Sequence, residues 1–474
     1  MTTQQPAGYD EAVKAVHANM SPRAHRMAQL ERFVEGTQYE GLPNFWAADA
    51  KVPLVDRAPC IVYPIVRSAI DSNVDLLLGE GRFPTLSARP DEDGDIVDDG
   101  ELSEEESATI DAFIRQVHKQ SRFRVAAREM FAAGQASGSA CALLGVRSGK
   151  LFVETVKARW CEPEFDIDGN VTRLVIQYPY VETVRVSGQW QSKARVYRRV
   201  IDDQNDVTML PAEGRADGGE IAWRKDAARS VTHGLGFCPV VWYAHMRGCV
   251  AFGDYDGKAI HEQLLDEIKA LDMTLSQRQR AAYYAGDPQW TEAGVELGSS
   301  PTGGGRRGRG IMSTPAGGRP SDDNPVNGRF ADPLVGSKAR KKSPGDVWQY
   351  ESPDTKVQLH TLPGDALKAI DDTAHDLRQK IAESLCVVFM DPENVKFAAT
   401  VSGKALEVLK QRQLDRCDQY RADFGERFIL PATNMLLRIV AKVKLGARVP
   451  GIKRALPILT KIGGSDEGAH VAAA

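Results

Sequence analysis

The chain has 474 residues, with an apolar fraction of 42% and a charged fraction of 26%, which is enough for a sizeable core in a soluble protein of several domains. The net charge of −4 excludes binding to nucleic acid through an overall positive charge, so any such contact must come from local basic patches. The seven cysteines are scattered, and this favours reduced thiols in a cytoplasm over a disulfide scaffold.

The N-terminal residues 1–14 are polar and lack the apolar stretch of a signal peptide. No window of the sequence approaches the roughly 18–20 apolar residues that span a bilayer. We therefore expect a protein that is made and used in a cytoplasm, with no membrane partner.

The N-terminal part predicts helices separated by a loop. Residues 9–35 indicate one helix with mixed faces, and residues 36–64 indicate a loop that prolines interrupt. Residues 65–78 predict a buried helix, because apolar side chains recur at helical spacing and Gly79 follows the last of them. These apolar positions are Ile65, Ala69, Val74, Leu77 and Leu78.

An acidic run at 91–106 has two interpretations. A calcium-binding loop of the EF-hand type needs a central glycine and a closing glutamate in a fixed register, which Gly94 and Gly100 do not supply. A solvated surface loop is therefore the favoured interpretation. Two helices are predicted to follow, over about 104–120 and 122–138.

Residues 140–250 predict a β-rich module. Short apolar runs alternate there with turn signals, and Asp168-Gly169-Asn170 is a strong turn between two of them. The connections are too short for crossover helices, so we expect antiparallel strands. The predicted runs are Cys141–Val146, Leu151–Val156, Val171–Tyr178, Val181–Val186, Ala194–Ile201 and Val240–Tyr243.

Farther along the chain, a long helix precedes an insert rich in Gly, Pro and Arg. The helix is predicted from Asp256 to about Ala285, which gives a rod about 45 Å long. The insert covers 286–361, with strand-like segments near Gln289–Thr291 and Val347–Tyr350. The helix has a narrow apolar stripe that neighbouring helices must cover. The stripe is Ile260, Leu264, Ile268, Leu271 and Leu275.

The insert is followed by a helix over 365–385 and by a polar loop over 391–403. Pro392 prevents continuation of the preceding helix, and Ser402 is the predicted N-cap of another long helix. A last helix with one apolar face is predicted over 424–442.

No motif for nucleotide binding or catalysis is present, because the chain lacks Walker A, GxSxG and HExxH patterns. We therefore predict a protein that is not an enzyme, with no catalytic residues, no metal and no cofactor. Four possible metal ligands match no common zinc spacing, and structural roles are favoured for them. They are His233, Cys238, His245 and Cys249.

Two basic clusters in the insert are the remaining candidates for contact with a partner. They are Arg306, Arg307 and Arg309 among glycines, and Lys338, Arg340, Lys341 and Lys342 farther along. Such clusters bind phosphate backbones or acidic partners, and the alternative is a flexible solvated loop. No aromatic residue is interleaved with them, so base stacking is not expected.

The order of these segments along the chain resembles that of the portal proteins of tailed bacteriophages, and the resemblance covers roughly residues 30–445. The stretch from Val156 to Asp168, with the strand over 171–178 after it, is similar to the wing of that family. The segment Phe397–Leu406 is similar to the tunnel loop that enters a long helix. The insert departs from the family, because it is long and unusually rich in Gly and Arg.

The resemblance implies an α+β, portal-like fold with a β-rich wing, long stem helices, a clip insert, a tunnel loop and a C-terminal helical crown. The resemblance divides the chain first into a wing over 1–253, which contains the β-rich module at 140–250, and a first stem helix over 254–285. The clip then covers 286–361, and the second stem helix covers 362–388. A tunnel loop over 389–403 follows, and residues 404–474 form a long wing helix and a crown with a frayed tail.

The resemblance also implies a structural role. Portal subunits form a ring, usually of twelve copies, at one vertex of a phage or prophage capsid, and DNA is packaged and ejected through it. The implied partners are further copies of the chain, double-stranded DNA, the terminase, the major capsid or scaffolding protein, and a head-completion or adaptor protein. The implied location is the virion, after assembly in the cytoplasm of the bacterial host.

Within that resemblance, Lys396, Thr400, Val401 and Lys404 are the implied DNA-channel residues, and the seven basic residues of the insert are the implied contacts of the clip. One lysine per subunit becomes a ring of positive charge when the subunits are related by rotation.

Two hypotheses from other classes stay open. A nucleic-acid-binding regulator would use the RGG-like loop 303–310 and remain a monomer or dimer. An enzyme without a recognisable motif would place its active site in the β-rich module. Size in solution separates the three, because only a portal forms a ring.

Overall fold

The computed structural model describes residues 9–18, 20–46, 52–79, 81–84, 86, 104–186, 189–213, 221–247, 255–286, 289–293, 356–360, 364–388 and 403–443. The chain divides into two compact units. The first unit comprises Met1–Tyr39, Val62–Lys269 and Leu377–Ala474, and the second comprises Glu40–Ile61 and Ala270–Asp376. Each unit is a mixture of helix and strand, and the α+β prediction is confirmed at that level.

The predicted single helix over 9–35 is wrong, because two helices occupy this stretch. They are α1 (Tyr9–Ala18) and α2 (Pro22–Glu35). Ser21 adopts an extended conformation, and its Oγ accepts a hydrogen bond from the N–H of Ala24 at 3.2 Å. Pro22 then occupies the first helical turn, where a main-chain N–H has no acceptor within the helix, so the missing N–H of proline costs no helical hydrogen bond.

The next three helices have the predicted positions to within about two residues. They are α3 (Ile65–Leu78), α4 (Glu104–Ser121) and α5 (Phe123–Ser137). All five apolar positions predicted for the buried face of α3 are buried. The acidic run lies outside the described residues as far as residue 103, and its last three glutamates begin α4.

The β-rich module forms two sheets, and every strand pair in them is antiparallel, as predicted. The smaller sheet has the order β2 (Lys150–Lys157), β1 (Ser139–Arg147), β9 (Val240–Ala244). The larger sheet has the order β3 (Cys161–Phe165), β4 (Val171–Val186), β5 (Gln189–Ile201), β6 (Asn205–Thr208), β8 (Val231–Thr232), and β7 (Ala212–Glu213) pairs with β5.

Two details of the larger sheet differ from the sequence prediction. The runs Val171–Tyr178 and Val181–Val186 form the single strand β4, which passes through Pro179. Among the described strands, β3 pairs with β4 only as far as Ile176, so Pro179 lies where one edge needs no N–H donor. Strand β3 itself was not predicted, because its five residues include a proline and two exposed glutamates.

The smaller sheet is packed on both faces. One face packs against the larger sheet and forms a hydrophobic core with members such as Cys141 of β1, Val240 of β9 and Leu174 of β4. On the opposite face, the ring of Tyr243 meets the ring of Phe424 edge-on at 5.0 Å. The first unit therefore has helices, a small sheet and a large sheet as successive layers.

The long helix after the β-rich module begins later than predicted. Helix α6 covers Leu265–Gly286 and is about 33 Å long, instead of about 45 Å. The amides before it are used elsewhere, since Lys258 donates to the carbonyl of His245 and Ile260 to that of Gln135. These bonds hold the chain in an irregular path, and only the later stripe residues Ile268, Leu271 and Leu275 lie in the helix.

The insert is bounded by a short antiparallel hairpin. Strand β10 (Gln289–Ala293) agrees with the predicted strand near Gln289–Thr291, and its partner is β11 (Lys356–His360). The other predicted strand, Val347–Tyr350, lies outside the described residues. Helix α7 (Gly364–Leu385) follows and agrees with the predicted 365–385 to within one residue.

The C-terminal helices form one continuous helical run. Helix α8 (Gly403–Phe424) is followed by a π-turn at Gly425–Ile429 and by α9 (Leu430–Val443). In the π-turn, the N–H of Leu430 donates to the carbonyl of Gly425. Pro431 has no N–H for the next α-helical bond, so the wider turn lies where that bond is missing.

Candidate functional site

The residues predicted to contact partners lie largely outside the described part of the chain. This applies to the channel residues Lys396, Thr400 and Val401, and to Ser402. Lys404 lies in the first turn of α8, but its side chain is outside the described residues. The same holds for every basic residue predicted at the clip: Arg306, Arg307, Arg309, Lys338, Arg340, Lys341 and Lys342. These assignments stay predictions.

The structure does describe the base of the insert, in the second unit. The guanidinium of Arg278 on α6 lies 2.5 Å from the carboxylate of Asp371 on α7. Arg278 lies about two turns before the end of α6, and Asp371 about two turns after the start of α7, so this ion pair links the two helices that flank the hairpin. Ala293 and Lys356 form the last pair of the hairpin, which brings the two ends of residues 294–355 together.

A pair of exposed aromatic side chains in the second unit joins a loop, through Trp46, to helix α6, through Tyr283. The rings of Trp46 and Tyr283 are 5.9 Å apart, and these residues are 45% and 61% exposed. Phe45 is buried beside them under the guanidinium of Arg280. Large aromatic side chains exposed together are typical of a protein–protein interface. Sequence reasoning missed this pair because its members come from distant segments.

A largely buried ion pair fixes the segment before α6 in the first unit. Arg23 of α2 donates to both carboxylate oxygens of Asp256, at 2.5 and 2.8 Å, and to the carbonyls of Ala158 and Cys161. Ser139 also donates to Asp256, at 2.9 Å. Burial lowers the pKa of Arg23, but the hydrogen bonds and charge of Asp256 outweigh it and the pKa is raised.

Gly257 lies at a close approach of two backbones next to that ion pair. A Cβ atom at this position would be 2.1 Å from the carbonyl oxygen of His245 and 2.3 Å from that of Gly138. The amide of Gly257 donates to Ser139 Oγ at 3.1 Å. No larger residue fits here without movement of the main chain, so the segment after β9 depends on this glycine.

The possible metal ligands have separate structural partners. Cys238 donates to the carbonyl of Ile201, and burial raises its pKa to about 12. His233 is bonded to the carbonyl of Asp202, and His245 Nδ1 to the hydroxyl of Tyr243 at 2.8 Å. Cys249 lies outside the described residues. Within the described ranges, no group of three or more His, Cys, Asp or Glu side chains is arranged to hold a metal ion.

Three histidines of the first unit are held neutral by burial. Burial lowers the pKa of His118 to about 4, and burial with the charge of Arg416 lowers that of His245 to about 3. Burial also lowers the pKa of His261 to about 4, against opposing contributions from the Leu30 carbonyl and Glu262. Each remains uncharged in the folded chain at pH values where an exposed histidine is protonated.

We expect the first unit to lose stability as the pH falls from 7 to 5. The unfolded chain binds protons at these histidines below about pH 6.5 and the folded chain does not, so the free energy of unfolding falls by about 2 kcal/mol per histidine. Urea unfolding of the full chain at both pH values measures the loss. His118→Gln removes one of these groups, and its pH dependence must be smaller. An unchanged pH dependence in that variant would contradict the assignment.

Among the helices that the structure describes, none is both long enough and apolar enough to cross a membrane. In comparisons with known proteins, no family model matches this chain, and no curated protein is significantly similar to it.

Proposed function

We propose that the chain is the subunit of a phage-type portal ring, through which double-stranded DNA enters and leaves a capsid. The proposal rests on the order of the elements. A β-rich body is followed by α6, by a hairpin with a long insertion, by α7, and then by the continuous run of α8 and α9. The same order, with its loop before the long helix, carries the resemblance in sequence.

One observation supports self-assembly more than any other. Trp46 and Tyr283 are in contact and exposed, one on a loop and the other on α6. In an isolated chain these two large aromatic rings leave apolar area exposed to water, which is unfavourable. A neighbouring subunit that covers them removes this area from solvent and so stabilises the contact. In the proposed ring, this pair lies at the contact between adjacent subunits.

The proposal assigns DNA contact to the loop over 391–403 and partner contact to the insert. Repetition of Lys396 around a ring would give a band of positive charge, and weak repeated contacts of this kind let DNA slide. A separate terminase would supply the energy of packaging. The basic residues of the insert would then contact that terminase or an adaptor.

We expect the purified chain to form a hollow ring. Negative-stain microscopy should show rings with a central channel, and light scattering should give a mass close to twelve times that of the chain. A monomer at every protein and salt concentration would contradict the proposal. A monomer or dimer that binds RNA in a salt-sensitive manner would favour the alternative nucleic-acid-binding function through residues 303–310.

The double variant Trp46→Ser with Tyr283→Ser tests the proposed contact. It should lower the fraction of chains in rings at least tenfold and leave the circular dichroism spectrum unchanged, because both side chains are exposed. Trp190→Ser is the matched control, since Trp190 is 58% exposed on β5 in the other unit. Equal ring formation by the double variant and the control would exclude the pair from the interface.

A further inference from the structure

A group of basic side chains is exposed in the first unit, where α3 and α4 end and α5 begins. We call it the basic corner and define it by Arg82, Lys119, Arg122 and Arg124, all of which are exposed. Lys119 lies in the last turn of α4, and Arg122 is the single residue between α4 and α5. Arg82 follows the C-terminal end of α3. The corner therefore collects positive charges from separate segments of the chain.

Contacts of Arg124 and Phe83 hold the segment after α3 against the start of α5. The guanidinium of Arg124 donates to the carbonyl of Gly79 at 2.8 Å and lies 6.0 Å from the ring centre of Phe83. The ring of Phe83 also meets that of Phe123 edge-on at 6.3 Å. These contacts bring the main chain at Arg82, the neighbour of Phe83, close to the first turn of α5.

The basic corner keeps a net positive charge after its acidic neighbours are counted. Two adjacent ion pairs are neutral, namely Arg128 with Asp75 and Arg421 with Asp418. Glu129 is exposed on α5, about two turns after the helix begins. Within the described part of the chain, no carboxylate lies within ion-pair distance of the four residues that define the corner. The unpaired charges here are therefore four positive and one negative.

The start of α5 is locally unfavourable in the isolated chain. Arg122 has a φ of 56°, a left-handed conformation that few non-glycine residues adopt, and no side chain caps the helix. The first turn contains no acidic residue, and both Arg122 and Arg124 lie at the positive end of the helix dipole. Carboxylates bound at the corner would accept hydrogen bonds from these guanidinium groups and would reduce the repulsion between the cations.

An exposed apolar side chain lies next to these charges. Val125 is 55% exposed and lies about one turn after Arg122. The phosphates of nucleic acid would pair with the cations and leave this valine in water. A protein segment can pair its carboxylates with the cations and cover the valine with an apolar side chain. Because arginine beside a buried apolar contact is typical of protein–protein interfaces, the surface favours a protein segment.

We propose that the basic corner binds an acidic segment of a partner protein, with an apolar residue of that segment packed against Val125. Carboxylates of the segment pair with Lys119, Arg122 and Arg124. Attraction between opposite charges speeds association and makes the affinity sensitive to salt. The inference is independent of ring formation, because the corner belongs to the first unit and the exposed aromatic pair to the second.

The probe is a fluorescein-labelled peptide with three Glu residues on each side of one Leu. Its binding to the full chain is measured by fluorescence polarisation at about 0.1 M salt, where distant charges are screened. The double variant Lys119→Glu with Arg122→Glu should weaken binding at least about tenfold and leave the circular dichroism spectrum unchanged. Parent binding weaker than about 1 mM would overturn the proposal.

The matched control is the double variant Lys14→Glu with Arg32→Glu. It changes the same two residue types, both are exposed in the first unit, and Arg32 lies in the last turn of α2 as Lys119 does in that of α4. The control should bind the peptide within about threefold of the parent chain, because it alters the net charge equally but lies outside the corner. Equal losses in the two double variants would overturn the proposal.

Val125→Ser distinguishes a protein segment from a bare anion. It should weaken binding of the leucine peptide about threefold or more, and it should not affect a peptide with Ser in place of Leu, because only the first loses an apolar contact. Equal effects on the two peptides, or no effect on either, would mean that the cations accept any polyanion, nucleic acid included. Either result would overturn the proposal.

The acidic run of the chain itself is the alternative occupant of the corner. A variant tests it by changing to amides the seven carboxylates Asp91, Glu92, Asp93, Asp95, Asp98, Asp99 and Glu101, which lie outside the described residues. The leucine peptide should bind this variant within about threefold of the parent chain. Binding that is at least about tenfold tighter would show that the run competes for the corner in the parent chain, since a tethered segment has a high effective concentration. That result would overturn the assignment to a partner protein.

Discussion

Replacement of Gly257 by alanine should destabilise the first unit by at least about 3 kcal/mol. The new methyl group would lie 2.1 Å from the carbonyl oxygen of His245 and 2.3 Å from that of Gly138, and both are main-chain atoms that cannot rotate away. Relief requires the segment before α6 to separate from β9 and α5, which breaks the bonds that Lys258 and Ile260 make there. Urea unfolding followed by tryptophan fluorescence measures the change.

Gly425→Ala is the matched control for that variant. Gly425 belongs to the same unit, and no atom lies within 4 Å of the place where its Cβ would stand. Alanine has the higher helix propensity, so this change should leave stability unaltered or raise it by up to about 1 kcal/mol. If both variants unfold at the wild-type urea concentration, the close approach at Gly257 is not a determinant of stability.

Arg23→Met should cost about 3–5 kcal/mol, because it leaves the carboxylate of Asp256 largely buried without its cation. Methionine keeps most of the apolar volume, so the loss reports on charge and hydrogen bonding. The variant also removes the donors to the carbonyls of Ala158 and Cys161, which link α2 to the start of β3. Urea unfolding of the full chain at pH 7 measures this loss.

A double-mutant cycle separates the ion pair from those other bonds. Asp256→Asn in the Arg23→Met background removes the unpaired charge, so the double variant should recover at least about 1 kcal/mol relative to the sum of the two single changes. Strict additivity would mean that the two charges do not interact in the folded chain. The bonds from Arg23 to the main chain would then account for the whole effect.

The sequence predicted those elements whose signals are local. The bounds of α3 and α7 agree because a continuous helical period ends at clear stop signals, and the antiparallel module agrees because its connections are short. The predicted start of α6 was wrong because residues before it bond to residues that are distant in sequence. The stripe at Ile260 and Leu264 has helical spacing, but the amides of Lys258 and Ile260 bond to His245, just after β9, and to Gln135 of α5. A helical period does not reveal such bonds.

The candidate contact residues also show that features formed by residues distant in sequence are not predicted from local patterns. The exposed pair of Trp46 and Tyr283 joins a loop to a helix that is distant in sequence, so it leaves no motif in the sequence. The basic residues of the insert do form a visible pattern in sequence. They lie outside the described part of the chain, so their proposed contacts stay predictions that mutation can test.

The hairpin of β10 and β11 makes the chain tolerant of changes in the length of its insertion. Since Ala293 and Lys356 are already paired, any segment between them begins and ends at one place, and each doubling of the length of a flexible segment there would cost only about 0.6 kcal/mol in closure entropy. We therefore expect an insertion between Ala293 and Lys356 to leave the register of the hairpin unchanged. A small folded domain grafted between the two strands would begin and end at the same place, and it would serve as a fiducial marker for this part of the chain in electron micrographs.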